Sequence, residues 1–294
     1  MRRFYFYVLL LALGTLQVQC QNDDNGSDTN DNSGGGENYK ISALKATGEF
    51  FSVSSEAENA RGIQVIGDSL LYVHARGNQR VVAYRLAEHG DITSAEWYAN
   101  FETSSFLEDS EPGPHGHGIF IRPSDLKKMW LFNRTEVWSF DLTEAGNVAS
   151  AVEEDYLDLS EFVERGHGIF FDESGEMLYV DDRNNALVHQ FELTEAWQIA
   201  AFSAYQSLDL SENHRAVRAV TFHPDGQQMY LLDTDLRALQ TYNLATPWNV
   251  GSGIFKEDYT LNISNPRGFC WNQDGSKAYV MNTDNGRIFE YVID

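Results

Sequence analysis

The sequence predicts an all-β protein, a five-bladed β-propeller with about 50 residues in each blade. Three observations lead to this fold class. A sequence pattern of the kind GHGIFFDESGEMLYV occurs in five copies, an aromatic residue keeps the same spacing, and each copy divides into short apolar runs separated by turn residues. A period of about 50 residues made of short strands is typical of propellers, in which each repeat folds into one four-stranded sheet.

The repeat is defined by a small residue in the first strand of each copy, which we call the anchor. The anchors are Gly62, Gly118, Gly168, Ala219 and Gly268, at successive steps of 56, 50, 51 and 49 residues. The aromatic residue of the second strand keeps the same period at Tyr72, Trp130, Tyr179, Tyr230 and Tyr279. Because two independent markers stay in step, we predict one repeat domain rather than two unrelated ones.

The third copy shows the elements of a blade most clearly. Its strands are predicted at Ile169 to Phe171, Met177 to Val180 and Leu187 to Leu193, with turns at 173–175 and 182–185. These runs have the length and the branched and aromatic residues of β-strands, and Gly, Asn and Asp occupy the turns. The same pattern predicts three strands in every copy.

A fourth strand is predicted for each complete copy, as in residues 155–159 (DYLDL) and 205–210 (YQSLDL). The last copy ends at Asp294 without one, while residues 48–53 (GEFFSV) have strand character and no repeat of their own. We predict that this N-terminal segment forms the outer strand of the last blade and closes the ring. The propeller domain is expected to span residues 41–294.

The N-terminal residues predict export. Residues 1–20 resemble a signal peptide, because Arg2 and Arg3 precede an apolar stretch at 4–13 that is short for a membrane span. Cys20 suggests a possible lipoprotein signal, although Gln19 stands where such signals have a small residue; ordinary cleavage after Cys20 is the alternative. Residues 21–40 are rich in Asn, Asp, Gly and Ser and are predicted to be a disordered linker. The expected location is secreted, periplasmic or lipid-tethered at the cell surface.

The charge balance limits the partners that the protein can have. The chain carries 44 Asp and Glu against 21 Lys and Arg, which gives a net charge of -23. This excess of acid argues against nucleic acid and anionic membrane surfaces. We therefore expect a membrane contact only through a lipid on Cys20. The expected protein is a monomer whose partner is a small anionic or polyhydroxylated ligand or another protein.

Sequence motifs for catalysis are weak. Residues 67–70 (GDSL) have the form of an esterase nucleophile motif, but they coincide with the turn between the first two strands of their repeat, so Ser69 is predicted to be inert. Cys270 lies in a first strand without an evident disulfide partner and is expected to be a buried thiol. From the sequence we assign no catalytic residue, no metal and no cofactor.

Trp197 and Trp248 occupy the same position after the third strand of two copies, where the first two copies have Gly90 and Gly146. An amphipathic tryptophan at this position could stack on a sugar or pack over the edge of its blade. We expect packing, because most large aromatic side chains are buried.

One set of repeated residues has the pattern expected of a ligand-binding site. The residue just before each anchor is Arg or His: Arg61, His117, His167, Arg218 and Arg267. The first strand of a propeller blade is the innermost one, so these side chains should surround one mouth of the central channel. They predict a polar pocket for an anionic or polyhydroxylated ligand. Two alternatives stay open, namely arginines that pair with carboxylates of the same face, such as Asp182 and Asp233, and a metal on His115, His117 and His167.

The phrases GHGIFFDESGEMLYV, VTFHPDGQQMYLLD and FCWNQDGSKAYVMN resemble the repeats of secreted bacterial propellers of the YVTN and NHL-like type. The resemblance covers residues 48–294 and implies the fold, since the repeat residues are structural. Such proteins include binding modules, surface proteins and some lactonases, so the resemblance does not imply one activity. We predict a binding or interaction module at the channel mouth. The alternative is a lactonase or sugar-ester hydrolase, which requires a carboxylate or a metal within reach of His117 and His167.

Overall fold

The structure is a computed structural model, and it describes residues 38–107 and 116–294. These residues form five four-stranded antiparallel sheets. The innermost strands of successive sheets contact one another in chain order, and the fifth contacts the first, so the sheets form a closed ring. The predicted five-bladed β-propeller is therefore confirmed.

Each blade runs from an inner to an outer strand. Blade 1 consists of β2 (Ala60–Ile66), β3 (Leu70–Ala75), β4 (Arg80–Leu86) and β5 (Ala95–Glu102). Blade 2 consists of β6 (Gly118–Ile121), β7 (Lys128–Asn133), β8 (Glu136–Leu142) and β9 (Ala151–Asp158). Blade 3 consists of β10 (Ile169–Phe171), β11 (Met177–Asp182), β12 (Leu187–Glu195) and β13 (Gln198–Asp209). Blade 4 consists of β14 (Val217–Phe222), β15 (Gln228–Asp233), β16 (Ala238–Leu244) and β17 (Gly253–Thr260).

Blade 5 joins the two ends of the described chain. It consists of β18 (Pro266–Trp271), β19 (Lys277–Asn282), β20 (Arg287–Ile293) and, as its outer strand, β1 (Leu44–Ser52). The pairing of β1 with β20 is antiparallel, and its register shifts between Ala46 and Phe50. The predicted closure by an N-terminal strand is confirmed, and the outer edge of β20 is covered as a result. A short helix, α1 (Ser104–Leu107), and 3-10 turns at Ile41–Ala43, Ile92–Ser94, Val148–Ser150 and Val250–Ser252 complete the described elements.

The closing segment begins before β1. The Tyr39 amide donates a hydrogen bond to the Gly275 carbonyl at 2.9 Å, as the Trp248 amide does to the Gly226 carbonyl at 2.9 Å. Tyr39 and the 3-10 turn that follows it thus reproduce the connection found between the third and fourth strands of the other blades. Residues 38–40, which the sequence analysis placed in the linker, accordingly pack with blade 5. The predicted signal peptide and residues 21–37 of the predicted linker lie outside the described residues.

The hydrophobic core lies between the faces of neighbouring blades. The aromatic marker of each second strand is completely buried in it: Tyr72, Trp130, Tyr179, Tyr230 and Tyr279. Two of these tyrosines also bind another blade, because the Tyr72 hydroxyl donates to the Gly146 carbonyl at 3.0 Å and the Tyr179 hydroxyl to the Trp248 carbonyl at 2.7 Å. The repeated aromatic residue therefore holds neighbouring blades together.

The anchors are small because the inner strands approach each other very closely. A Cβ atom on Gly268 would lie 2.2 Å from the Arg61 carbonyl oxygen, and one on Gly62 would lie 2.4 Å from the His117 carbonyl oxygen. Backbone atoms of the next blade cannot give way as a flexible side chain could. A narrow channel of five blades thus requires glycine at these positions, and Ala219 shows that blade 4 leaves room for a methyl group.

Cys270 is a buried free thiol in β18, as predicted. Burial raises the pKa of this thiol to about 12, which removes the thiolate needed for reaction at neutral pH. Among the residues that the structure describes, no helix is long and apolar enough to cross a membrane.

Candidate functional site

We use the name mouth ring for the five residues that precede the anchors: Arg61, His117, His167, Arg218 and Arg267. His117 directly precedes β6, His167 lies two residues before β10, and the three arginines lie within β2, β14 and β18. All are buried except Arg267, which is partly exposed. Beneath them is a cavity of about 30 Å³, lined by the anchors together with His167, Arg218 and Arg267.

Each arginine of the mouth ring lies at a β-bulge. The pairing of β14 with β15 passes from Val217 to Ala219 with Arg218 as an extra residue, and that of β18 with β19 passes from Pro266 to Gly268 in the same way. The register of β2 shifts between Ala60 and Ile63. A bulge redirects the side chain of the extra residue out of the regular alternation. The bulges therefore explain how residues in a packed inner strand can present guanidinium groups at the mouth.

The two histidines and Arg218 form one contact group. The His117 and His167 rings meet edge to face with their centroids 4.2 Å apart. A guanidinium nitrogen of Arg218 contacts His167 Nε2. Because a guanidinium can only donate, His167 Nε2 accepts, and the imidazole is neutral with its hydrogen on Nδ1. Burial, followed by the neighbouring His117 and Arg218, holds the pKa of His167 well below its usual value.

Among the described residues, Asp181 is the carboxylate nearest to His167, and it is completely buried. Its Oδ1 lies 3.8 Å from His167 Nδ1, which is too far for a hydrogen bond. Instead Oδ1 accepts the His167 amide at 2.9 Å and Oδ2 accepts the Gly168 amide at 2.7 Å. Burial raises the pKa of Asp181, while these amides and Arg218 act in the opposite direction. Asp181 therefore fixes the backbone at the start of β10.

The three arginines of the mouth ring are close enough to perturb one another. Burial, followed by the charges of Arg267 and Arg76, lowers the pKa of Arg61 to about 9. Burial, followed by the charges of Arg267 and Arg183, lowers the pKa of Arg218 to about 8. Within residues 38–107 and 116–294, none of the three forms a salt bridge with a carboxylate. The mouth is therefore a concentration of positive charge in an acidic protein.

The sequence analysis missed three further arginines at this mouth. Arg76, Arg165 and Arg183 all act on the pKa values of the ring arginines, so they lie close to them. Arg76 and Arg183 follow the second strands of blades 1 and 3, and Arg165 precedes β10. The signal was present in the repeat, because Arg134 follows the second strand of blade 2 in the same way, so blades 1 to 3 each have an arginine at this position.

Asp182 and Asp233 do not pair with the arginines of the mouth ring, whereas the charges of Asp235 and Asp284 act on Arg267, and Asp235 lies 3.9 Å from Arg183. Asp182 and Asp233 are buried and accept backbone amides, the former from Glu164 at 2.8 Å and the latter from Arg215 at 2.7 Å. Burial acts to raise the pKa values of both carboxyl groups, but their hydrogen bonds outweigh it and lower them. Each of them holds the segment that leads into the inner strand of its own blade, β10 for Asp182 and β14 for Asp233.

The other sequence candidates lie apart from the mouth ring or outside the described part. Ser69 is in the turn between β2 and β3, where its amide donates to the Ile66 carbonyl at 3.3 Å. His115 is not among the described residues. In the described ranges, no three His, Cys, Asp or Glu side chains are grouped so that they could hold a metal ion.

No protein-family model and no curated protein matches this sequence. Solved structures do match the fold. A protein from Lactobacillus plantarum is 14% identical with a TM-score of 0.50, over 77% of this chain and 64% of that one. A functionally unknown protein from Desulfotomaculum acetoxidans is 15% identical with a TM-score of 0.47, over 76% of this chain and 63% of that one.

The periplasmic gluconolactonase of Pseudomonas aeruginosa is 15% identical with a TM-score of 0.47, over 77% of this chain and 63% of that one. The chain thus spans less than two thirds of the length of each of these three proteins. Similarity at this level concerns the fold alone, because propellers with unlike functions share it.

Proposed function

We propose that the protein is an exported β-propeller that binds a small anionic ligand at the mouth ring. The observation that carries the proposal is the convergence of three arginines that form no salt bridge with a carboxylate within the described residues. Like charges in a partly buried site cost free energy unless a negative group lies among them. A planar guanidinium matches the two oxygens of a carboxylate or phosphate, so an anion of this kind would supply the missing charge.

The dimensions of the mouth restrict the way in which a ligand can bind. The cavity beneath the ring, at about 30 Å³, has room for one group of the size of a water molecule. Only one oxygen of the ligand can therefore enter the channel, and the rest of the molecule must lie above the ring. A small sugar acid or organic acid with a terminal carboxylate satisfies this condition.

The alternative function, a lactonase or sugar-ester hydrolase, has weaker support. Among the described residues, the carboxylate nearest to His167 is Asp181, and both of its oxygens already accept backbone amides. A general base must reach the proton that it abstracts, and Asp181 is completely buried with both oxygens bound to backbone amides. The proposed export depends on residues 1–20 and would place the binding site outside the cytoplasm.

Thermal unfolding in the presence of gluconate, glucuronate, citrate or phosphate tests the proposed function. We expect at least one of these anions to raise the melting temperature of the wild type, since a ligand at 100 times its Kd adds about 2.7 kcal/mol. Arg218→Ala should abolish this increase and leave the melting temperature of the free protein equal or higher, because it removes a buried charge. Arg85→Ala, an exposed arginine stacked on Tyr98, is the matched control and should keep the increase. No increase with any anion, together with a lower melting temperature for Arg218→Ala, would leave the ring a structural feature.

The pH dependence gives a second prediction. Burial, followed by the neighbouring His117 and Arg218, holds the pKa of His167 well below its usual value of about 6.5, so this imidazole is neutral in the folded protein. Below about pH 6.5 the unfolded chain therefore binds more protons than the folded one, so the free energy of unfolding should fall as the pH decreases. Unfolding between about pH 8 and about pH 5, with His167→Gln for comparison, measures this slope. Equal slopes for the wild type and His167→Gln would contradict this prediction.

A further inference from the structure

The channel opens on the opposite face into a second, larger cavity. This cavity has a volume of about 390 Å³ and continues into a groove of about 520 Å³ that shares much of its lining. Both volumes lie in the range of about 300–1,000 Å³ that small-molecule sites occupy. An apolar ring separates the cavity from the mouth ring: Ile63, Ile119, Ile169, Val220 and Phe269. The two mouths are therefore independent sites.

Aromatic residues border this cavity on three consecutive blades. Trp197 and Trp248 line the groove, and Tyr39 lines the cavity. The three residues are equivalent, because each has a left-handed backbone and donates its amide to the glycine of the turn between the first two strands of its blade. Each ring lies over that glycine. The packing that we predicted for the tryptophans is thus observed, but all three side chains remain partly exposed.

Packing alone does not explain where these aromatic residues occur. Blades 1 and 2 have Gly90 and Gly146 at the same position, with the same left-handed backbone and the same amide hydrogen bond to the turn. The blade structure can therefore be built without a large ring there. The other three blades have a large aromatic ring at this position, and each of these rings borders the cavity or its groove. This distribution is expected if the exposed faces contact a ligand.

The polar residues of the cavity indicate which ligand it would take. Glu173 and Gln273 are exposed turn residues that line both the cavity and the groove. Asp172 also lines the groove, but its oxygens already accept hydrogen bonds from Ser174 and Met177. In the described part of the chain, neither space is lined by a lysine or an arginine. Arg122, whose guanidinium lies 5.5 Å from the centre of the Trp197 ring, is already paired with Asp125. An anionic ligand would therefore meet the Glu173 carboxylate without a compensating cation in the lining.

From these observations we infer that the cavity and groove, which we call the aromatic funnel, bind a neutral oligosaccharide. The C–H faces of sugar rings are apolar and stack on exposed aromatic rings, as amphipathic ligands generally do. Their hydroxyl groups are donors and acceptors that suit a carboxylate and a primary amide. Two connected spaces bordered by successive aromatic rings suit a chain of two or three sugar units better than a single one. This site does not depend on the function proposed for the mouth ring.

Saturation-transfer NMR with cellotriose, chitotriose and mannotriose tests this inference on the full chain. We expect transfer to at least one of the three sugars. Glu173→Ala and Gln273→Ala should each weaken its binding by about tenfold, the effect of one lost hydrogen bond to a charged or amide group. Both residues are exposed, so the melting temperature should stay the same. Glu153→Ala, an exposed residue of β9 outside the aromatic funnel, should bind the sugar as the wild type does.

A pair of tryptophan variants tests the stacking. Trp248→Phe should weaken sugar binding, whereas Trp97→Phe, which changes an exposed tryptophan of β5 outside the aromatic funnel, should not. Arg218→Ala should also leave sugar binding unchanged, since it lies beyond the apolar ring. The inference is overturned if none of the three sugars shows transfer, or if Glu173→Ala and Gln273→Ala bind as the wild type does. Binding of choline in place of sugars would overturn the ligand class, because an aromatic site with a carboxylate also suits a quaternary ammonium.

Discussion

Removal of residues 38–54 is expected to lower the free energy of unfolding by about 5 kcal/mol or more, which is comparable with the whole stability of many domains. The segment provides the outer strand of blade 5 and buries Ile41, Leu44 and Val53 almost completely. Each such side chain contributes about 1.5–3 kcal/mol by burial. The deletion also exposes the edge of β20, so the variant should associate more readily.

Urea unfolding of this deletion and of a second one, which removes residues 21–37 only, provides the measurement. The second deletion leaves the blade 5 segment in place, so its midpoint should equal that of the wild type. A third deletion, of residues 38–43 alone, should have an intermediate effect because it removes Tyr39 and Ile41 but keeps β1. Equal midpoints for the wild type and for the deletion of 38–54 would show that β1 contributes nothing to the stability of the ring.

Gly268→Ala is expected to destabilise the propeller by about 3 kcal/mol, near the upper end of the usual cost of overpacking. The added methyl group would lie 2.2 Å from the Arg61 carbonyl oxygen, which belongs to the inner strand of blade 1. Because both partners are backbone in paired strands, the clash can be relieved only by moving two blades apart. The same change should displace Arg61 and weaken any anion effect at the mouth ring.

Ala219→Gly is the matched substitution in the opposite direction, at the equivalent position of blade 4. It removes a methyl group that the structure accommodates, so its cost should be only the roughly 0.5–1 kcal/mol of a glycine within a strand. Chemical unfolding of both variants compares the two anchors directly. Similar small effects for the two substitutions would mean that the inner strands have more freedom to separate than their spacing indicates.

The fold could be predicted from the sequence because the strand and turn residues that specify it are repeated. Five copies of one pattern of apolar strands and turn residues predict the blades, and the missing strand after Asp294 predicts the closure. The start of the closing segment at Tyr39 was harder to see, because tyrosine replaces tryptophan and the residues before it have low complexity. The spacing from Tyr39 to Ile41 does match that from Trp248 to Val250, so the signal was present in the sequence.

The candidate sites could be predicted from the sequence only in part. Residues at a fixed distance from the anchors, such as Arg218, could be assigned to one mouth because the repeat fixes their place in the ring. The role of Asp182 could not be read in this way, since a carboxylate that accepts backbone amides and one that pairs with arginine look the same in a sequence. The aromatic funnel was missed because its residues differ in type from blade to blade and include Tyr39 from the opposite end of the chain.

Blade 5 contains both the first and the last strand of the described chain, and this determines when the ring can close during synthesis. Strand β1 is synthesised before the other strands of the ring, but its partner β20 is the last of them, so the ring cannot close before all five blades have been made. Contacts between residues so distant in sequence form slowly, because closing a long loop costs entropy before any pairing is gained. The proposed export would benefit from this order, because a growing chain that still lacks blade 5 cannot close its ring in the cytoplasm before translocation begins.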